Sequence, residues 1–212
     1  RSASAQRSNT SIAQDFLTLN FALESGSQLH QMTRFEGPIS VRLDNSAPQT
    51  AKNDLSSLLT RLRTEAGLNI YASSSRDANI NIEMVTRAQI KRLIPNAACF
   101  VAPNARSLAD YSVKRRTSAG SWTAMTDRTM MSIFLPSDAS PKEVRDCLHE
   151  ELAQALGPVN DLYSLSDSVF NDDNIHSTLK SFDMMVLRVQ YDRELTNGMS
   201  RQQVAARLPS IL

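Results

Sequence analysis

The chain is predicted to adopt an α+β fold, with a mixed sheet, supporting helices, one long helix and a small helical part at the C-terminus. Three observations predict this class. Segments with helical apolar periodicity alternate with short strand-like segments, no internal repeat is present, and no domain linker divides the chain. With 212 residues and 41% hydrophobic content, the chain is long enough to bury one core. We therefore expect a single domain over residues 10–212, preceded by a flexible Ser-, Ala- and Arg-rich tail over residues 1–9.

The part of the chain before residue 136 supplies the predicted sheet and its supporting helices. Apolar residues at three- and four-residue spacing predict helices, which would lie over 11–24, 50–66 and 86–93. Gly67 ends the second of these helices, whose apolar stripe contains Leu55, Leu58, Leu59 and Leu62. Short apolar or alternating segments predict strands, which would lie over 37–43, 68–72, 78–85, 97–101 and 129–135.

The long helix is predicted over 140–156, where both of its ends are marked. Ser140-Pro-Lys-Glu143 is a capping box with proline at the first helical position. Gly157 followed by Pro158 predicts the end, with the glycine in a left-handed cap. At about 100° per residue, one apolar stripe forms along this helix; its members are Val144, Cys147, Leu148, Leu152, Ala155 and Leu156. A polar, irregular stretch then runs to Lys180, and two short helices follow, one capped by Ser181 and one by a box of Ser200 and Gln203.

Glu151 falls inside the apolar stripe of the long helix. A carboxylate on a buried face is costly unless it is paired, protonated or bound to a cation. One interpretation pairs Glu151 with an Arg or Lys from elsewhere in the chain. The other makes it part of a functional site, because Glu150 and Gln154 lie one turn apart at the border of the same face. His149 points about 100° away from Glu150 and should not join this group.

The polar residues of the long helix resemble the active-site motif of the metzincin zinc peptidases. That motif is H-E-x-x-H-x-x-G-x-x-H, with histidine ligands and a general-base Glu. The chain carries Glu150-Glu151-x-x-Gln154-x-x-Gly157-x-x-Asn160, which keeps the spacing, the base and the glycine but replaces all three histidines. Further along, Ser168-Val-Phe170 resembles the Met-turn with Phe in place of Met, and 182–192 resembles the helix that follows it.

Four blocks of the sequence also resemble a family of uncharacterised zincin-like proteins common in alphaproteobacteria. The blocks are Arg34-Phe-Glu-Gly-Pro-Ile, Pro95-Asn-Ala-Ala-Cys-Phe, His149-Glu-Glu-Leu-Ala-Gln-Ala-Leu-Gly-Pro and Phe170-Asn-Asp-Asp-Asn. The resemblance covers nearly the whole chain. It implies a zincin-like fold and an exported location, and it carries no activity to transfer.

The candidate ligand positions Glu150, Gln154 and Asn160 are rich in oxygen donors. Zinc prefers His and Cys, so this set disfavours zinc and is better matched to an oxygen-preferring divalent cation such as calcium, magnesium or manganese. With a metal, Glu151 would be the catalytic base that deprotonates a bound water. Without one, Glu151 in an apolar setting would act as a general acid, with Asp161 as the second carboxylate that glycan cleavage requires.

The cysteines and the charge balance bear on location and partners. We expect a disulfide between Cys99 and Cys147, and two buried free thiols are the alternative; only the disulfide requires an oxidising compartment such as the periplasm. The first residue is Arg rather than Met, so we expect a trimmed product from which an export signal was removed. A net charge of +1 gives no electrostatic case for nucleic acid, and no apolar run is long enough to span a bilayer.

Two functions remain after these considerations. The first is an exported zincin-like protein with a degenerate site, acting as a non-catalytic periplasmic binding or assembly module. The alternative is a divergent metal-assisted hydrolase that acts on peptides or cell-wall material. In either case the expected partner is another exported protein or a cell-wall peptide, and the location is periplasmic or secreted. Fold does not decide between these functions.

Overall fold

The structure is a computed structural model that describes residues 7–161, 165, 168–171 and 178–212. Within these residues it confirms the α+β class, with five strands in one mixed sheet and seven α-helices. The strands are β1 (Ile39–Leu43), β2 (Ile70–Ala72), β3 (Ile80–Val85), β4 (Phe100–Pro103) and β5 (Met131–Pro136). The helices are α1 (Asn9–Phe21), α2 (Gln49–Glu65), α3 (Arg87–Leu93), α4 (Leu108–Lys114), α5 (Pro141–Leu156), α6 (Ser181–Gln190) and α7 (Arg201–Ile211).

The strands lie in the order β2-β1-β3-β5-β4. The first four run parallel, and β4 pairs antiparallel with β5 at one edge. Strand β4 begins three residues later than the predicted strand 97–101, because its pairing with β5 runs from Phe100 opposite Phe134 to Pro103 opposite Met131. Cys99 therefore lies just before the strand instead of inside it.

The two faces of the sheet bury cores of unequal size. Apolar side chains of α1, α2, α5 and α6 cover one face and form the larger core, in which Phe16, Leu58 and Leu152 are fully buried. The smaller core on the opposite face contains Phe100 and Phe134, with rings 4.8 Å apart, and residues of α3 and α4. Helix α5 packs against both β5 and β4, so its position relative to the sheet edge is fixed by the larger core.

The predicted start of α5 is confirmed, while the predicted conformation at its end is wrong. The Ser140 hydroxyl accepts a hydrogen bond from the Glu143 N–H, and the Glu143 carboxylate accepts one from the Ser140 N–H. Gly157 has φ −167°, which is extended rather than left-handed. Glycine is required there for space, because a Cβ would lie 2.8 Å from the buried side chain of Gln190.

Three smaller features differ from the sequence predictions. Helix α4 was not predicted; Ser107 caps it by accepting a hydrogen bond from the Asp110 N–H. Helix α6 begins at Ser181, but its N-cap residue is Lys180. Helix α1 begins at Asn9, two residues before the predicted start, and residues 1–6 of the predicted tail lie outside the described residues.

Candidate functional site

A cleft with a volume of about 570 Å³ lies between α5 and the edge strand β4. Its walls combine apolar residues with carboxylic acids. The lining residues are Leu23, Glu24, Ser25, Ile94, Asn96, Ala97, Ala98, Cys99, Phe100, Val101, Trp122, Cys147, Glu150, Glu151, Gln154 and Val159. The cleft therefore brings together the polar face of α5, the segment that leads into β4, and the residues that follow α1.

One edge of β4 is unpaired among the described residues and borders this cleft. The Asn104 N–H donates to the Met130 carbonyl, and hydrogen-bonded pairs of an antiparallel ladder recur at every second residue. Ala102 and Phe100 are therefore the residues that bond to β5. The N–H and C=O of Val101 point away from the sheet, on the side where no described strand lies. Pro103 has no N–H, so it limits the length of this open edge.

A disulfide between Cys99 and Cys147 joins the two walls of the cleft. The Cα atoms of the two cysteines are 6.0 Å apart. The bond ties the residue that precedes β4 to the middle of α5, one turn before Glu151. The predicted pairing is confirmed, and both cysteines line the cleft.

Glu151 lines the cleft and is only 5% exposed. Within the described part of the chain, no hydrogen bond or salt bridge involves its carboxyl group, so the interpretation that paired it with an Arg or Lys finds no such partner there. Burial raises the pKa of Glu151 well above its usual value, and the negative charges of Glu150, Asp161 and Glu24 raise it further. The carboxyl group is thus protonated more readily than an exposed glutamate.

Glu150 and Gln154 line the same cleft, as their positions on the helix predict. Burial raises the pKa of Glu150 to about 7, with contributions from the negative charges of Glu24 and Asp146. Near neutral pH the Glu150 carboxyl group is therefore present in both its protonated and its ionised form. Such a group can accept a proton, donate one, or pair with a cation, depending on what enters the cleft.

The third candidate ligand, Asn160, does not line the cleft. Its side-chain amide donates to the Thr18 carbonyl at 3.1 Å, and its oxygen accepts from the Asp161 N–H at 3.0 Å. The structure thus brings together Glu150, Glu151 and Gln154 but uses Asn160 to attach the end of α5 to α1. In the described ranges, no group of three or more His, Cys, Asp or Glu residues is arranged to hold a metal ion.

His149 lies away from the cleft and has a structural role. It is 5% exposed, and its Nδ1 accepts a hydrogen bond of 3.0 Å from the Leu179 N–H, just before α6. Burial lowers the pKa of His149 to about 4, and the positive charges of Arg61 and Arg145 contribute. The neutral imidazole that results is suited to accept this hydrogen bond.

The C-terminal end of α5 is held by a buried arginine that the sequence did not indicate. Arg128 is 4% exposed and donates to the carbonyls of Gln154, Ala155 and Gly157, and its Nε donates to the Thr33 hydroxyl. A cation at this position satisfies the free carbonyls of the last turn and interacts favourably with the helix dipole. Its guanidinium carbon lies 5.5 Å from the centre of the Trp122 ring, which forms part of the cleft wall.

The segment that resembles a Met-turn is held by a buried carboxylate. The Ser168 hydroxyl and the Val169 N–H both donate to the carboxylate of Asp183, which is also bonded by the Lys180 N–H at the start of α6. Phe170 is fully buried in the larger core. Residues 172–174 of the resembling block lie outside the described residues.

Together the fold and the cleft define an α+β domain in which an acidic, disulfide-bonded cleft opens at a sheet edge. Residues 9–210 match the model of a family described as protein of unknown function (DUF2927), and the chain therefore belongs to that family. The chain matches no curated protein. None of the helices in the described part of the chain combines the length and the apolar character needed to cross a membrane.

Proposed function

We propose that the protein is an exported, zincin-like binding module that holds an extended segment of another exported protein, or of a cell-wall peptide, along strand β4. The zincin-like assignment is supported by the spacing of Glu150, Glu151, Gln154 and Gly157. It also agrees with an arrangement in which the sheet and α2 pack against the long helix beside a cleft. The disulfide supports export, because disulfides persist in oxidising compartments.

The open edge of β4 is the observation that carries this proposal. An exposed strand edge is a template for another extended chain, which adds to the sheet through main-chain hydrogen bonds. The N–H and C=O of Val101 supply one such pair on the cleft side. The short strand and Pro103 restrict the template to a few residues, so the remaining affinity must come from side chains that enter the cleft.

Binding is favoured over metal-assisted hydrolysis by the positions of the candidate ligands. Asn160, the third ligand position of the resembling motif, donates its amide N–H to the Thr18 carbonyl of α1, and its amide oxygen accepts from the adjacent Asp161 N–H. Glu150 and Gln154 alone would leave a metal with too few protein ligands for a firm site.

The proposal can be tested by selecting hexapeptides from a random library on the folded protein. We expect binders that shift the backbone amide resonances of residues 99–101. We also expect that N-methylation of alternate peptide residues abolishes binding, while N-methylation of the intervening residues does not, because only one set of N–H groups faces β4. Val101→Pro should weaken the same peptides. Failure to select any binder, or a uniform response to N-methylation, would contradict edge pairing.

The raised pKa values of Glu150 and Glu151 favour a second candidate, a divergent hydrolase that uses Glu151 as a general acid. A mass-spectrometric search for cleaved products among peptides and cell-wall fragments incubated with the protein would decide it. Cleavage by the wild type that is lost in Glu151→Gln would establish the hydrolase. Peptides and cell-wall fragments that remain uncleaved by both the wild type and Glu151→Gln would support the binding module.

A further inference from the structure

We propose that the cleft recognises an organic cation, the ammonium group of a lysine or the guanidinium group of an arginine in the bound segment, through Glu24, Glu150 and Glu151. This inference rests on the proposed binding function and specifies the chemistry of its ligand. Its basis is the charge of the cleft, the environment of Glu151 and the shape of the walls.

The described lining of the cleft carries charge of one sign. Its ionisable side chains are Glu24, Glu150 and Glu151, and none of the described lining residues is Lys, Arg or His. The salt bridges in the described part of the chain involve none of these three acids. Arg128, whose guanidinium group lies over the Trp122 ring of the cleft wall, directs its N–H groups to the carbonyls at the end of α5. A ligand that enters the cleft therefore meets acids that have no counter-ion among the described residues.

The environment of Glu151 gives an independent indication of a ligand. The side chain is 5% exposed, lines the cleft and has no hydrogen-bond partner within the described residues. Polar groups that are buried this deeply are normally hydrogen-bonded, and an exception calls for an explanation. A cation that enters from the cleft would supply the missing donors.

The walls of the cleft fit an organic cation better than a metal ion. Among the described residues, no group of three or more His, Cys, Asp or Glu is arranged to hold a metal ion. The remaining lining includes Leu23, Ile94, Phe100 and Trp122. Apolar walls that end in carboxylates match a lysine or arginine side chain, which places a methylene stem along apolar surface and a charged group at its end.

Proton linkage provides a further signature of this site. Among the described residues, the charged groups that raise the pKa of Glu150 and Glu151 are all acidic: Glu24 after α1, Asp146 on α5 and Asp161 after α5. The wall formed by residues 94–101 contributes no ionisable group, since Cys99 is in the disulfide. The pKa of Glu150, about 7, would fall when a cation binds, so binding should release protons and strengthen as pH rises. If only the ionised Glu150 binds, affinity should increase about tenfold between pH 6 and pH 8.

The first experiment is an NMR titration with two small probes, Nα-acetyl-lysine methylamide and Nα-acetyl-norleucine methylamide. The probes share a backbone and differ in the charge at the end of the side chain. We expect the lysine probe to shift amide resonances of residues 147–154, and the norleucine probe to do so at least tenfold more weakly. The lysine effect should weaken about tenfold or more in Glu150→Gln and Glu151→Gln, since a charge-assisted hydrogen bond is lost. Glu65→Gln, an exposed acid on α2 outside the cleft, is the matched control and should bind like the wild type.

The second experiment separates this inference from the proposed function. Among the hexapeptides selected for β4, we expect Lys or Arg at one fixed position, and replacement of that residue by norleucine should weaken binding at least tenfold. Edge-pairing peptides without a fixed cation would overturn the inference and leave the binding module intact. If the lysine probe binds but the library yields no binding peptide, the cation site would be supported and edge pairing would be overturned. Equal binding of both probes, or displacement of the lysine probe by stoichiometric calcium or magnesium, would overturn the organic-cation assignment.

Discussion

Two buried ionisable residues, Glu151 on α5 and Arg128 at its C-terminal end, differ in the hydrogen-bond partners that the protein provides for them. Arg128 at the C-terminal end of the helix is 4% exposed and makes four hydrogen bonds, three of them to helix carbonyls. Glu151 in the middle of the helix is 5% exposed and makes none within the described residues. Both side chains are largely buried, yet among the described residues only Arg128 has hydrogen-bond partners. The fold thus uses Arg128 for stability and leaves Glu151 directed at a cleft.

This difference separates a structural group from a candidate functional one. Burial lowers the pKa of Arg128 only to about 10, so the guanidinium remains charged at neutral pH and its hydrogen bonds persist. Burial and three neighbouring acids raise the pKa of Glu151, so its charged form is disfavoured until a ligand compensates it. Perturbed carboxyl groups in clefts are more frequent at functional sites than elsewhere, although structural networks also produce them.

Replacing Arg128 should have the largest effect on stability. In Arg128→Met the side chain keeps much of its volume, but three carbonyls at the end of α5 and the Thr33 hydroxyl lose their donor. We expect a loss of about 4 kcal/mol in the free energy of unfolding, from unsatisfied groups that cost about 1–3 kcal/mol each. Urea denaturation measures this value. Arg61→Met, which removes an exposed pair on α2, is the control and should cost less than about 1 kcal/mol. Equal losses in the two variants would show that Arg128 does not hold the helix end.

Loss of the disulfide should have the next largest effect, because the bond fixes the wall opposite Glu151. The cysteines are 48 residues apart, and a loop of this size predicts a loss of at most about 4 kcal/mol in Cys99→Ser/Cys147→Ser. The same change should loosen the cleft and bring the pKa of Glu151 closer to that of an exposed glutamate. Mass spectrometry of the unreduced wild type should detect no alkylatable thiol. Two alkylatable thiols would remove the disulfide and weaken the assignment to an exported location.

The pH dependence of the free energy of unfolding should report the raised carboxyl pKa of Glu150 in the cleft. A folded state with a raised carboxyl pKa binds more protons than the unfolded chain, so this contribution to stability is complete at low pH and is lost as pH rises. For Glu150 the loss runs from about pH 4.5 to its folded pKa of about 7. Glu150→Gln should therefore gain about 3 kcal/mol relative to the wild type across this window, as measured by urea denaturation at several pH values.

His149 should change the stability with pH in the opposite direction to Glu150 in the same experiment. Its pKa is lowered to about 4, so the unfolded chain binds the additional proton and stability falls as pH drops from about 6.5 to 4. In His149→Asn, where an amide oxygen can still accept from the Leu179 N–H, this loss should disappear. A Glu150→Gln curve parallel to that of the wild type between pH 4.5 and 7 would contradict the environment assigned to Glu150.

Replacement of Glu151 should stabilise the free protein by a smaller amount. Glu151→Leu removes a buried polar group without partners and fills the apolar stripe of α5, so we expect a gain of about 1–2 kcal/mol in the free energy of unfolding. Glu151→Gln should change stability less, because it keeps a polar group in the same place. Both variants should lose ligand binding. A destabilised Glu151→Leu variant would show that the carboxyl group has a structural partner.

Local signals in the sequence predicted a large part of the fold. The box of Ser140 and Glu143 marks the start of α5, and the apolar stripe that contains Cys147 identified both its buried face and the anomaly of Glu151. These features depend on residues within a few turns of one another, where helical periodicity determines which side chains share a face.

Long-range relations in the molecule were not accessible from the sequence. Arg128 reaches the end of α5 from a loop before β5, and Glu24 enters the cleft from the segment after α1. Spacing alone assigned Asn160 to the ligand set, whereas its amide bonds to the Thr18 carbonyl of α1. Gly157 was expected to need a left-handed conformation, but the position is restricted by the side chain of Gln190. Each of these features depends on tertiary packing that no local pattern encodes.

The most direct test of the account is a measurement of the carboxyl pKa values of Glu150 and Glu151 in the free protein. Glutamate labelled with ¹³C at the carboxyl carbon can be followed by NMR from pH 3 to pH 9, with assignments from Glu150→Gln and Glu151→Gln. We predict a pKa near 7 for Glu150 and a clearly raised pKa for Glu151, and a decrease of both when the lysine probe binds. Values for both residues near 4.3, the pKa of an exposed glutamate, would contradict a buried acidic site on α5.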